Sequence, residues 1–324
     1  MHNWATKWPL LFLIAAIGVG GCGLTAAQRD TTLKFADAAT QFGDASSNEL
    51  VKMRDQTIAM NVALYGVPDL PKEYLADNAQ PIVVAYIEQC KKKGQPCEYK
   101  NLAGDFSGDW YRTFLSGPRA MKAYGSALTD IMKADNKDQV KKSADKLAAA
   151  LKAIPGSPVA NASANAISGL SQQLTEMLLA EMKAHAIRSV VTSTKDAVPT
   201  ICAGVGDNFL LATGHEKAKD NFAFRFQTTA RNLAAASEMG MRLHPSDRLV
   251  RSDSLAAYTL AEQNLNEADI VFPEIVKSSS ACVAADTALV DALRDNSLGT
   301  KDIEDFYTAA KQAYSNVKSL SASK

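Results

Sequence analysis

From residue 33 to the C-terminus, apolar residues recur at intervals of three and four, which places them on one face of an α-helix. The pattern is clearest at the end of the chain, where Ile303, Phe306, Ala310, Ala313, Val317 and Leu320 share a face. Thr300 marks the start of this segment. Asp302, Glu304 and Asp305 complement the positive end of the helix dipole, and Lys311 and Lys318 suit the other end. Tyr258, Ala261, Leu265, Ala268, Phe272 and Ile275 form a second stripe, with a break expected near Phe272 because Pro273 follows. Val140, Leu147, Leu151 and Ile154 make a third, closed by Pro155-Gly156-Ser157-Pro158. Ile167, Leu170, Leu174 and Met177 make a fourth. Val51, Ile58, Val62 and Tyr65 are read as one face of an early helix, and Ile82, Tyr86 and Gln89 as a shorter one after Pro81. No segment of comparable length alternates with period two.

Glycine and proline punctuate this pattern at 66–71, 94–108, 117–118, 155–158, 204–206, 240–245 and 296–299. The expected fold is therefore all-α, an antiparallel bundle of roughly seven to nine helices, several of them alanine-rich and suited to close packing. The break at 155–158 divides it into an N-terminal region, 33–155, and a C-terminal region, 156–324, each long enough for its own sub-bundle. No fixed-period repeat suggests a solenoid.

The N-terminus follows a different rule. Lys7 precedes an uninterrupted apolar stretch, residues 9–17, that runs into Gly18, Val19, Gly20 and Gly21. This is the layout of a secretory signal, and it falls short of the roughly 20 apolar residues a spanning helix needs. The segment ends Val19-Gly20-Gly21-Cys22, which resembles the lipobox of bacterial lipoproteins. That resemblance covers the signal alone. It implies removal of residues 1–21, acylation of Cys22 and attachment to a membrane on the periplasmic side. Gly23 stands where lipoproteins retained in the inner membrane usually carry aspartate, so the resemblance points to the outer membrane. Residues 22–32 read as a lipidated tether reaching at most about 35 Å.

Charge narrows the partners. Lys plus Arg and Asp plus Glu each number 35, and loss of the signal, whose one such residue is Lys7, leaves one net negative charge. Nucleic acid is not an expected partner of so balanced a chain, and Lys91-Lys92-Lys93 reads as a solvated loop. Four cysteines remain besides Cys22, an even number in a chain addressed to an oxidising compartment. Cys90 and Cys97 flank a turn-prone loop, so we expect them to pair, leaving Cys202 with Cys282. In the chain-entropy model these bridges contribute about 2.5 and 4.5 kcal/mol. Their spacing does not suit structural zinc.

No catalytic constellation emerges. Asp105-Phe106-Ser107-Gly108-Asp109 opens like a calcium loop, but its glycine is fourth instead of sixth, and Ser116 stands where a glutamate is needed. The segment reads as a turn in which Ser107 or Asp109 caps the helix of Trp110, Tyr111 and Phe114. His185, His215 and His244 are too far apart for a local metal motif. Glu176, Glu181, Glu262 and Glu267 lack the Glu-x-x-His pairing of di-iron bundles, and Gly204-Val205-Gly206 is too short for a nucleotide loop. Neither a cofactor nor a metal is expected. On a helix, Phe222 and Phe226 share a face that Phe224 does not; a central helix that buries all three is the plainer reading, and an apolar interaction patch with one ring exposed is the functional one. The sequence thus reads as a lipid-anchored envelope protein that acts by interaction, as an adaptor or structural lipoprotein. Its alternatives are a helical bundle binding a small or hydrophobic molecule, and an enzyme whose site is assembled from distant residues.

Overall fold

The structure, a computed structural model, describes residues 23–66, 108–173, 177–210, 221–295 and 300–322. The expected helix after Pro81, the Lys91-Lys92-Lys93 run, the Cys90–Cys97 pair and His215 lie outside the described residues. Those described form nine helices and no strand: α1 (Ala26–Gly66), α2 (Gly108–Lys133), α3 (Lys137–Lys152), α4 (Pro158–Gln173), α5 (Leu179–Thr194), α6 (Ala197–Asp207), α7 (Phe222–Leu243), α8 (Arg248–Asp295) and α9 (Thr300–Ala322). At 1.5 Å per residue, α1 with 41 residues and α8 with 48 extend about 60 and 70 Å. No helix among the described residues is long and apolar enough to cross a membrane.

Local chemistry sets the helix ends. Thr25 and Gln28 form a reciprocal capping box: Gln28 N donates to Thr25 Oγ1 and Thr25 N to Gln28 Oε1, each at 3.1 Å. Asn136 caps α3 through the amide of Gln139, Ser157 caps α4 through that of Ala160, and Asp247 caps α8 through those of Leu249 and Val250. Gly156, with φ +68°, makes the left-handed turn between α3 and α4 that L-residues avoid.

α1 lies at the centre and packs against α2, α7, α8 and α9. Its first half is buried on nearly every side by small residues, among them Ala36, Ala38, Ala39, Gly43, Ala45 and Ser46. These let α2 approach with almost no side chain between the backbones. A Cβ on Gly43 would lie 2.5 Å from both Pro118 O and Lys122 N, and one on Gly125 would collide with Ala36 O and the Thr40 backbone. Farther along, the Tyr111 hydroxyl donates to Leu50 O at 3.1 Å, so α2 retreats as α1 advances. α8 also runs opposite to α1, with Gln28 bonded to Ala292 at one end and Gln56 to Glu267 farther on. α9 runs the same way as α1: Lys34 pairs with Glu304, and the Asn48–Ala59 stretch of α1 faces Tyr314 to Ser321. Phe35 and Phe42 pack on Phe306 at this contact, with ring centroids 5.5 and 6.1 Å apart. α3 and α4 stack beside α2 and α5, while α6 bridges α2 and α8.

Several expectations are corrected. The stretch expected to be a tether is helical from Ala26, with Leu24 only 8 % exposed and Gln28, Thr31 and Thr32 buried. Pro118 and Pro273 lie inside helices that continue through them. Pro118 is buried where α2 meets Gly43 of α1. Pro273 sits on the exposed face of α8, as does Asp269, whose carbonyl Pro273 has no N–H to reach. α6 likewise runs through Gly204 and Gly206. The predicted stripe of α1 is displaced: Val51 and Val62 are 41 and 44 % exposed, and Leu50, Met53, Met60 and Leu64 face the core instead. Helices on both sides of the 155–158 turn contribute to one contiguous apolar cluster.

Gly125→Ala is expected to destabilise the protein by about 3 kcal/mol, because the added methyl meets backbone that cannot yield. Gly169→Ala, with open space around it, should be neutral or stabilise by up to about 1 kcal/mol. Urea unfolding of the two variants checks the contrast.

Candidate functional site

Three places bring chemistry together: the buried contact of α2, α5, α6 and α8, a groove along α1, and the start of the described chain.

At the buried contact, Cys202 of α6 and Cys282 of α8 form the expected disulfide, with Cα atoms 6.1 Å apart. Ser279 Oγ donates to Cys202 O at 2.7 Å, and Gly206 rests against the Ser279 side chain, where a Cβ would collide. Cys202 Sγ lies 3.8 Å from Met121 Sδ. One turn beyond Cys282, Asp286 is buried, and its Oδ1 has no hydrogen-bond partner among the described residues. Burial pushes its carboxyl up to about 8, and the charge of Asp196 adds to the rise. Near it, Tyr124 is fully buried, and its hydroxyl lies 3.2 Å from that of Thr194, which also bonds Val190 O. Burial first, and then Asp286, hold the Tyr124 phenol well above its ordinary value. Both groups are thus neutral near pH 7. Each is 1 % exposed, so the pair lies inside the core.

The groove lies between α1 and α9 with α8 as its floor and has a volume of about 670 Å³. Val51, Ala59, Leu260, Tyr314 and Val317 supply its apolar lining. Lys52 on its wall pairs with Glu267 at 2.7 Å, and Gln56 Nε2 donates to the same carboxylate at 2.8 Å. Lys318 and Asp55 are the other charges on the lining. The size falls within the range of small-molecule sites.

At the start of the described chain, the Gly23 carbonyl accepts from Arg188 Nη2 at 3.3 Å. Leu24 shares a pocket of about 310 Å³ with Arg29, Met132, Leu179, Ala180, Lys183 and Ala184.

The remaining candidates are scattered. Phe222 and Phe226 do not form a surface patch with Phe224. Phe222 packs edge-on against Phe114 at 4.6 Å and Tyr111 at 6.0 Å, Phe226 packs on Phe272 at 6.0 Å, and only Phe224 of the three is partly exposed. Asn221 explains the register. It caps α7 through Phe224 N and donates to Asp207 O and Leu210 O at the end of α6, turning Phe222 inward. His185 is half-buried on α5, 3.4 Å from Ser189 Oγ, and His244 is the C-cap of α7. Among the described residues, no group of three His, Cys, Asp or Glu side chains could hold a metal ion. Asp286 escaped the sequence reading although it left a signal, a carboxylate on the apolar stripe of Cys282, Ala285, Leu289 and Leu293. The groove left none, since its walls come from segments more than 200 residues apart.

Comparisons with family models, with curated proteins and with solved structures found no match to this chain.

Asp286 predicts an unusual pH dependence. Below the ordinary carboxyl value of 3.8 both folded and unfolded chains are protonated, and the group carries no penalty. As pH rises from there to about 8, the unfolded chain ionises and the folded chain does not, so stability falls and then levels off. Asp286→Asn should therefore stabilise by roughly 2–4 kcal/mol at pH 8 and change little at pH 4. Denaturant titrations at the two pH values measure the difference.

Proposed function

We propose that this chain is a lipid-anchored helical protein of the bacterial cell envelope, held by an acylated Cys22, facing the periplasm and acting by interaction as an adaptor or structural lipoprotein. The observation that carries the reading is where the folded body begins. Gly23, the residue after the cysteine of Val19-Gly20-Gly21-Cys22, is bonded to Arg188, and Leu24 is packed against α2 and α5. A lipid on Cys22 would hold such a body directly against its membrane without a leash. The disulfide between Cys202 and Cys282 agrees with an oxidising compartment.

The finer features belong to the same proposal: the outer membrane as the anchoring membrane, a second disulfide between Cys90 and Cys97, and a predominantly antiparallel arrangement of the helices. Non-reducing intact mass measurement of protein extracted from membranes tests it. The expected mass is that of a chain starting at an acylated Cys22 with two disulfides. Retention of residues 1–21, or free thiols, would overturn the assigned compartment.

A second reading is favoured by one observation, the groove between α1, α8 and α9. On this reading the protein binds a small or hydrophobic molecule along Val51, Leu260 and Val317. A fluorescent fatty-acid probe should bind the purified protein, and Val51→Trp, which fills the groove from its exposed wall, should weaken that binding at least tenfold. Equal binding by both proteins would remove the groove from consideration.

A further inference from the structure

We infer that the anchor end of the body is a membrane-seating face, on which Leu178 enters the lipid interface while Arg29, Lys183 and Arg188 meet phosphate-bearing headgroups. The inference rests on the reading of Cys22 as acylated. Its starting point is reach. Consecutive Cα atoms are about 3.8 Å apart, so a lipid on Cys22 brings the bilayer surface to within one residue of Gly23. Gly23 has no slack to give, because its carbonyl is held by Arg188 and Leu24 is buried beside it. Whatever surrounds Leu24 is therefore brought to the membrane as well.

The surroundings suit that position. Leu179 lines the same pocket as Leu24, and Leu178, the next residue along the chain, is 71 % exposed. Leu178 is also the N-cap of α5, in extended conformation, and makes no side-chain cap hydrogen bond. Serine, threonine, aspartate and asparagine stabilise that position, whereas leucine leaves the first amides of the helix without a side-chain acceptor. The uncapped amides suit an anionic acceptor such as a phosphate oxygen, and the exposed leucine side chain is poorly suited to water. It is well suited to an interface that takes up apolar side chains.

Arg29 and Lys183 line the pocket itself, Lys183 Nζ donating to Met132 O at 3.3 Å, and Arg188 binds the Gly23 carbonyl at its edge. Among the carboxylates at this end, Asp30 and Glu304 pair with Lys34 and Asp291 with Arg294, while Glu181 and Asp302 lie in the first turns of α5 and α9. The three cations beside an apolar wedge match the anionic phosphates and acyl chains of a phospholipid surface. The opposite end of the long axis supplies an internal control. Leu249, 76 % exposed, stands 43 residues along α8 from Ala292, about 65 Å away by helical rise.

Tryptophan quenching by brominated lipids reads out the seating. Leu178→Trp and Leu249→Trp, each combined with Trp110→Phe, are made in the full chain, extracted from membranes and reconstituted into vesicles of phosphatidylethanolamine and phosphatidylglycerol. Mass measurement of the same samples reports acylation. If the inference holds, the acylated Leu178→Trp protein is quenched several-fold more than the Leu249→Trp protein. Acylated protein with no excess quenching at position 178 overturns the seating face while leaving the lipid reading intact. A chain that carries no acyl group overturns both.

Discussion

The backbone contact between α1 and α2 is the constraint on which the rest of the molecule depends. Gly43 and Gly125 bring the two helices close enough that a single methyl group at either would strike the neighbouring backbone. Dispersion between closely apposed main chains replaces the interdigitated side chains that usually separate packed helices. Such a contact demands small residues along the whole crossing, and the alanines and serines of the first half of α1 meet that demand. It also leaves the remaining faces of α1 free to bury against α8 and α9, which is how one helix becomes the axis of the fold. Three helices in mutual contact cannot all be antiparallel, and α9, lying alongside α1 in the same direction, is the one that breaks the alternation.

A second set of contacts closes the structure around that axis. Gln28 completes the cap of α1 and donates to Ala292 near the C-terminal end of α8, so one side chain ties two helix ends together. α6 is fixed to α8 by the disulfide, by Ser279 and by the close fit of Gly206, and to α7 by Asn221. Asp286 is the cost within this region. A carboxyl buried without a full set of partners stays protonated near neutral pH and lowers stability relative to an amide of the same shape.

Much of the fold was legible where helices are amphipathic. Ile303, Phe306, Ala310, Ala313 and Val317 are all buried, as are Val140, Leu147 and Leu151, because each of these helices shows one face to the core and the other to water. α1 was hard to read for the opposite reason. A helix buried on several sides has no single stripe, and the valines at 51 and 62 drew attention to a face that is partly exposed. Gly117-Pro118 and Pro273 looked like breaks because local propensity was weighed without the tertiary contacts that override it. The pairing of Cys202 with Cys282 could be read by leaving those two together once Cys90 and Cys97, which flank a turn-prone loop, were assigned to each other. The spacing of the three phenylalanines correctly set Phe222 and Phe226 on one face and Phe224 on another, but the inward turn of Phe222, set by Asn221 bridging to α6, left no sequence signal. The groove arises from helices distant in sequence, beyond what periodicity can reveal.

The central claim is that an ordered body reaches to within one residue of Cys22, the cysteine proposed to carry the lipid. Hydrogen–deuterium exchange of the mature protein, followed across residues 25–35, tests it most directly. The account predicts that amides from Gln28 onward exchange as slowly as those of the α2 core around Met121 and Leu128. Complete exchange of this segment within seconds would contradict it, returning residues 22–32 to the role of a flexible tether and removing the basis for a fixed orientation at the membrane.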